Sequence, residues 1–185
     1  LFVEMLEKAA EDSSVKAIVV RINSPGGSVT ASELMHDEVL RIRNDPKNKK
    51  PIIAVIMDTG ASGAYYLACA CEEITAHRSS VVGSIGVIFQ SMNIKGTLDK
   101  IGVETLAIKS GKMKDAGSMY RGMTEEEKKL FQGLIDHFYG QFVKVVATGR
   151  PSLRGGRPWR APGCRRAPRR WPRRRRRPAR TGAAS

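Results

Sequence analysis

The sequence predicts an α/β fold on a mostly parallel sheet, and three observations carry that expectation. Short β-branched runs alternate with longer stretches of helical periodicity. The runs are apolar throughout rather than alternating, as strands covered on both faces are. Each is followed by a Gly-marked turn, the strongest local punctuation a chain has.

In chain order, the first residues already carry helical periodicity (Phe2, Met5, Leu6, Ala9), so the start reads as that of a fragment. Residues 15–22, VKAIVVRI, form the first expected strand. Asn23-Ser24-Pro25-Gly26-Gly27 breaks it, and a helix is expected over 30–43 from Leu34, Met35, Val39, Leu40 and Ile42. A second buried strand is expected over 52–57, then a helix over 62–70 and a short strand near Ile74. Residues 85–89 and 103–108 read as further strands. Thr124 and Glu127 have capping-box spacing, so a long amphipathic helix should start there and run through Leu130, Leu134, Phe138 and Val145 towards Gly149.

Charge divides the chain in two. Of its 32 Lys and Arg, 14 are arginines from Arg150 onward, where no acidic residue occurs; the remaining 18 balance all 18 acidic residues. Residues 1–150 therefore read as one domain, neutral as far as Gly149, and 151–185 as a disordered Arg/Pro-rich tail. Such a tail can bind nucleic acid or anionic lipid through counterion release. Its residue types are mostly those of GC-rich codons, however, which favours a shifted reading frame, and nucleic acid is not an expected partner. No run of about 18 apolar residues or signal-peptide pattern is present.

Chemistry is sought at the three glycine turns, Ser24-Pro25-Gly26-Gly27, Gly60-Ala61-Ser62-Gly63 and Gly83-Ser84-Ile85-Gly86, because α/β sites gather at strand ends. Ser62 stands at a helix start, where free N–H groups and the helix dipole favour developing negative charge. The commoner use of such a serine is as an N-cap. A hydroxyl nucleophile also needs a base. His36, His77 and His137 lie outside the glycine turns and read as packed or surface residues. The loop Ser110-Gly111-Lys112-Met113-Lys114-Asp115 offers two lysines, and a lysine serves if its surroundings disfavour the ammonium form. Cys69-x-Cys71 has neither redox nor zinc spacing, so its thiols are expected to be buried and inert; no metal or cofactor is expected.

Taken together and in order, Asn23-Ser24-Pro25-Gly26-Gly27, Ala61-Ser62-Gly63-x-Tyr65-Tyr66, Gly83-Ser84-Ile85-Gly86-Val87 and Ser110-Gly111-x-x-Lys114-Asp115 closely resemble the bacterial signal peptide peptidase A family in its short, single-domain form. The resemblance covers about residues 15–150. It implies a ClpP/crotonase-like layered spiral and a serine endopeptidase with a Ser–Lys dyad. Residue by residue it implies Ser62 as nucleophile, Lys114 as base, Ser84 as the group orienting the base, and the Gly27 and Gly63 N–H groups as oxyanion hole. It further implies a homo-oligomeric ring, peptide substrates such as cleaved signal peptides, and a place on the outer side of the cytoplasmic membrane. The family continues beyond its T-G-R segment with D-G-R-V-Y and G-L-V-D stretches, where this chain has Thr148-Gly149-Arg150 and then the arginine-rich tail. Three rival readings are an NfeD-linked membrane serine protease, a crotonase-type acyl-CoA enzyme, and an inactive fragment with a basic nucleic-acid- or membrane-binding tail.

Overall fold

A computed structural model describes residues 1–47 and 49–151. The expected tail, apart from Pro151, lies outside the described residues. The elements run α1 (Phe2–Glu11), β1 (Ile18–Ser24), α2 (Val29–Asn44), β2 (Ile52–Ala61), α3 (Gly63–Ala70), β3 (Glu73–Ala76), β4 (Val81–Gly83), α4 (Lys95–Lys100) and α5 (Glu125–Gly149).

β2 is the axis of the sheet. One edge pairs with β1, from Ile18 opposite Ile52 to Ile22 opposite Ile56, and the register shifts before Ser24 meets Gly60. The other edge pairs with β3 in its first half and β4 in its second, Thr59 to Ala61 facing Val81 to Gly83. All three pairings are parallel, as expected. The tight turn at 77–80 joins β3 to β4: Ser80 N–H donates to the His77 carbonyl at 3.1 Å, and its hydroxyl donates to the Met57 carbonyl.

The core lies where the helices meet this sheet. Ile52, Ala54 and Ile56 of β2 are wholly buried, as are Val39 of α2 and Ala68 and Ala70 of α3. α3 packs on α2, β2 and α5, so the shortest apolar helix sits at the centre. Its far end is fastened by two arginines: Arg43 donates to the Ala70 carbonyl, and Arg150 to the Ala68 carbonyl at 2.9 Å and the Cys71 carbonyl at 3.1 Å. The Ala68 carbonyl also accepts from Cys71 N–H at 3.0 Å, and the arginines supply donors to carbonyls at this helix end that have few backbone ones. Gly149 lets α5 close on that end, since a methyl group there would stand 2.3 Å from the Cys69 carbonyl oxygen.

Several expectations need correction. β1 is not buried on both faces: Ile18, Val20 and Ile22 face the core while Val19 and Arg21 are exposed. The helices cover one face of that strand, and alternate side chains point the other way. β2 continues past Met57 to Ala61, because β4 supplies pairing partners beyond the Asp58-Thr59-Gly60 turn signal. Residues 85–89 and 103–108 are not strands, and Leu106 and Ile108 are about nine-tenths exposed. β propensity there meets no partner strand among the described residues. α4 and β4 had not been anticipated.

The capping box does form. The Thr124 hydroxyl accepts from Glu127 N–H, and the Glu127 carboxylate accepts from Thr124 N–H at 2.8 Å. Glu127 is 1% exposed, and the Arg121 guanidinium and then Thr124 N–H hold its carboxyl down at about 2, against an ordinary 4.5. Stability from a depressed carboxylate is present above its unfolded value and lost as pH falls through the folded one. We therefore expect the melting temperature to fall as pH drops from about 4.5 to 2. Glu127→Gln should flatten that slope, as read by circular dichroism melts across the same pH range.

Candidate active site

Ser62 sits between the end of β2 and the start of α3, with φ 51° and ψ −124°. A residue with a Cβ adopts such a backbone at a cost on the order of 1–3 kcal/mol, so surrounding contacts must impose it. They do so from both sides. Ser62 N–H donates to the Gly83 carbonyl at 2.8 Å, tying the turn to the end of β4, and the Ser62 carbonyl accepts from Tyr65 and Tyr66 N–H at 2.9 Å. The side chain takes no part in this holding. Ser62 occupies the N-cap position, yet its hydroxyl makes no cap hydrogen bond. The N-cap alternative thus fails on geometry, and the hydroxyl is left available.

The second turn lies directly against the first. Gly26 has φ +110°, and a methyl group on it would stand 2.8 Å from Gly63 N and 2.9 Å from Ser62 Cβ. Only glycine fits, both for the dihedral and for the approach. Ser24 supports the bend, its hydroxyl accepting from Gly26 N–H at 3.1 Å. A methyl group on Gly63 would in turn stand 3.3 Å from Gly27 N and 2.1 Å from the hydroxyl oxygen of Ser32, a buried residue in the first turn of α2. The Gly27 and Gly63 N–H groups thus stand at neighbouring turns beside Ser62. Gly63 opens α3, where an N–H has no intrahelical acceptor, and neither N–H has a hydrogen-bond partner among the described residues.

Ser62, Gly63 and Gly27 line one cavity of about 190 Å³, with Tyr66, Phe138 and Phe142 among its apolar walls. Tyr66 packs on Phe142 with ring centroids 5.2 Å apart. A second groove, walled by Phe89, Met123, Phe131 and Ile135, shares Val87 and Ile88 with the first. These walls had not been anticipated as site residues. Phe138 and Phe142 lie one turn apart on α5, a spacing visible in the sequence, but which face meets the serine depends on how α5 docks. Ser32 gave no sequence signal at all.

The other expected residues lie elsewhere. Ser84 has φ 54° and is exposed; it does not line the cavity. Lys114 is exposed on a turn closed by its own N–H donating to the Gly111 carbonyl at 3.1 Å, and it does not line the cavity either. Its ammonium has no hydrogen bond or ion pair among the described residues, whereas Lys109 pairs with Asp115 at 2.6 Å and Lys112 with Glu126 at 2.7 Å.

The histidines are bystanders: His36 is buried edge-on to Tyr66 at 4.9 Å, and His137 packs beside Phe138 on α5. Cys69 and Cys71 are buried free thiols, pushed up by burial to about 11 and about 12, so neither supplies a thiolate near neutral pH. Cys164 lies outside the described residues.

A strand–turn–helix serine with no cap hydrogen bond, beside backbone N–H groups without partners among the described residues, is the arrangement that the class of serine hydrolases uses. The pattern of peptidase family S49 matches residues 44–154, and the chain belongs to that family, the serine peptidases of signal peptide peptidase type. The ClpP/crotonase-like fold is that of the family, in keeping with the parallel sheet. The chain is 40% identical to a protein of Methanocaldococcus jannaschii provisionally named a protease, over 80% of this chain and 47% of that one. It is 38% identical to a protein of Enterococcus faecium provisionally named signal peptide peptidase SppA, over 80% and 42%. It is also 34% identical to the chloroplastic serine protease SPPA of Arabidopsis thaliana, over 80% of this chain and 21% of that one. The chain thus spans half the length, or less, of these relatives.

Because the Gly26 methyl would strike both Ser62 and Gly63, the expected oxyanion role of the Gly63 N–H predicts that Gly26→Ala lowers peptide turnover by about a hundredfold or more, the scale of losing one such donor. Steady-state kinetics beside a thermal melt would separate this loss from unfolding.

Proposed function

We propose that this chain is the catalytic part of a serine endopeptidase that cleaves extended apolar peptides, signal peptide remnants among them, through a Ser62–Lys114 dyad. The observation that carries the reading is the left-handed Ser62, whose hydroxyl is free of cap bonding and opens with Gly27 and Gly63 into an apolar cavity. In this reading the Lys114 amine takes the proton of the Ser62 hydroxyl as its oxygen attacks the scissile carbonyl. The Gly27 and Gly63 N–H groups receive the oxyanion. Lysine returns the proton to the leaving amine, and water, activated by the same amine, hydrolyses the acyl-serine ester. Ser84 orients the amine when the site is assembled.

Lys114 is not in the Ser62 cavity of its own chain, so the dyad needs a further step of assembly. We propose a homo-oligomeric ring in which a neighbouring copy brings its Lys114 to Ser62. Ile88, Met92, Leu106 and Ile108, in the segment leading to Lys114, are all more than three-fifths exposed, an apolar surface that a second copy would cover. No helix among the described residues is long and apolar enough to cross a membrane. We place the site of action on the outer side of the cytoplasmic membrane, where such substrates arise.

Ser62→Ala and Lys114→Ala should each abolish hydrolysis of an apolar fluorogenic peptide while keeping the fold. A mixture of the two variants should recover part of the turnover if the lysine comes from a neighbour. Full activity in Ser62→Ala would overturn the nucleophile assignment, and a dead mixture would overturn the shared site.

A further inference from the structure

The turn that carries Lys114 is pinned by one arginine. Arg121 donates from Nε to one Asp115 carboxylate oxygen and from Nη2 to the other, both at 2.9 Å, and from Nη2 to the Asp115 carbonyl at 3.2 Å. The same guanidinium donates from Nη1 to Glu127 at 2.9 Å and also from Nη2, so it bridges the turn to the first turn of α5. Lys109 takes a further place on Asp115 at 2.6 Å.

The charged groups on the Lys114 turn and its flanks are Lys109, Lys112, Asp115 and Arg121, and those at the start of α5 are Glu125, Glu126, Glu127, Lys128 and Lys129. Glu125 is paired with Lys128, Glu126 with Lys112, and Asp115 and Glu127 with Arg121. Neither Lys114 nor Lys129 has a hydrogen bond or ion pair among the described residues, although Asp115 is the covalent neighbour of Lys114. The Asp115 carboxyl is held well below the usual carboxylate range, by Arg121 first and Lys109 next.

A carboxylate free to reach an adjacent amine holds that amine as ammonium to higher pH. A base must lose that proton to work. We propose that Arg121 is a positioning residue for the lysine base: by occupying the Asp115 carboxylate it keeps that charge off Lys114, and it fixes the turn presenting the amine. This deepens the reading of Lys114 as the base and rests on it. Lysine at 121 would be a poor substitute, because a point charge cannot fork between two carboxylates as a planar guanidinium does.

The test follows the Lys114 amine directly, by trace acetylation with acetic anhydride across pH and mass spectrometry of the full chain. Arg121→Gln should move the half-reaction pH of Lys114 up by about one unit, about tenfold lower reactivity on the acid side. Arg121→Gln with Asp115→Asn should return it to the wild-type value, and Asp115→Asn alone should leave it there. The rising limb of kcat against pH should follow the same order, with KM unchanged. A wild-type midpoint in Arg121→Gln, or a displaced one in the double variant, overturns the proposal. If Arg121→Gln fails to fold, Arg121→Lys should show a smaller displacement in the same direction, and none would overturn it. Wild-type turnover in Lys114→Ala would overturn the base assignment but not the labelling result, so the two failures are read apart.

Discussion

The site depends on one backbone constraint, the left-handed turn at Ser62. Its conformation costs energy, and the structure answers with contacts from both ends of the turn. β4 accepts the Ser62 N–H, and the first turn of α3 hydrogen-bonds its carbonyl. Gly26 closes over it at a distance no side chain allows. Because backbone groups do the holding, the hydroxyl is spared from capping, as the proposed nucleophile requires.

The rest of the architecture serves that turn. β2 must extend to Ala61 to deliver it, and it can do so because a second parallel partner takes over where β3 ends. α3 must not slide, and Arg43 and Arg150 fasten its far end while α2 and α5 pack along its length. α5 is tied at its own start through the capping box and Arg121, and at its end through Gly149 against Cys69. Phe138 and Phe142 are thereby carried to the cavity between these two anchors. The Lys114 turn and the Ser62 wall hang from the same helix, one near its start and the other along its body.

Much of this was legible in advance where local chemistry decides. The α2 and α5 helices follow from apolar periodicity, and the start of α5 from Thr124 and Glu127 three residues apart, a spacing only a helical turn brings together. β1 and β3 fell near their expected places for a similar local reason. Where partners decide, the reading failed. Residues 103–108 have strand-like composition but no neighbour to pair with, while 58–61 carry turn residues yet continue β2 because β4 is alongside.

By itself the sequence determined which residues could do chemistry: the three glycine turns, a serine at a helix start, and a lysine loop. Glycine tolerance, helix capping and hydroxyl reactivity are properties of one residue and its near neighbours. Only the tertiary structure decided that Gly26 and Gly27 lie against Ser62 and Gly63, some 36 residues away in the chain. It alone left Lys114 without a partner among the described residues while Asp115 beside it is held by Arg121 and Lys109. Those facts depend on how β1 and β2 register and how α5 docks, and register and docking are set by the summed burial of the whole core.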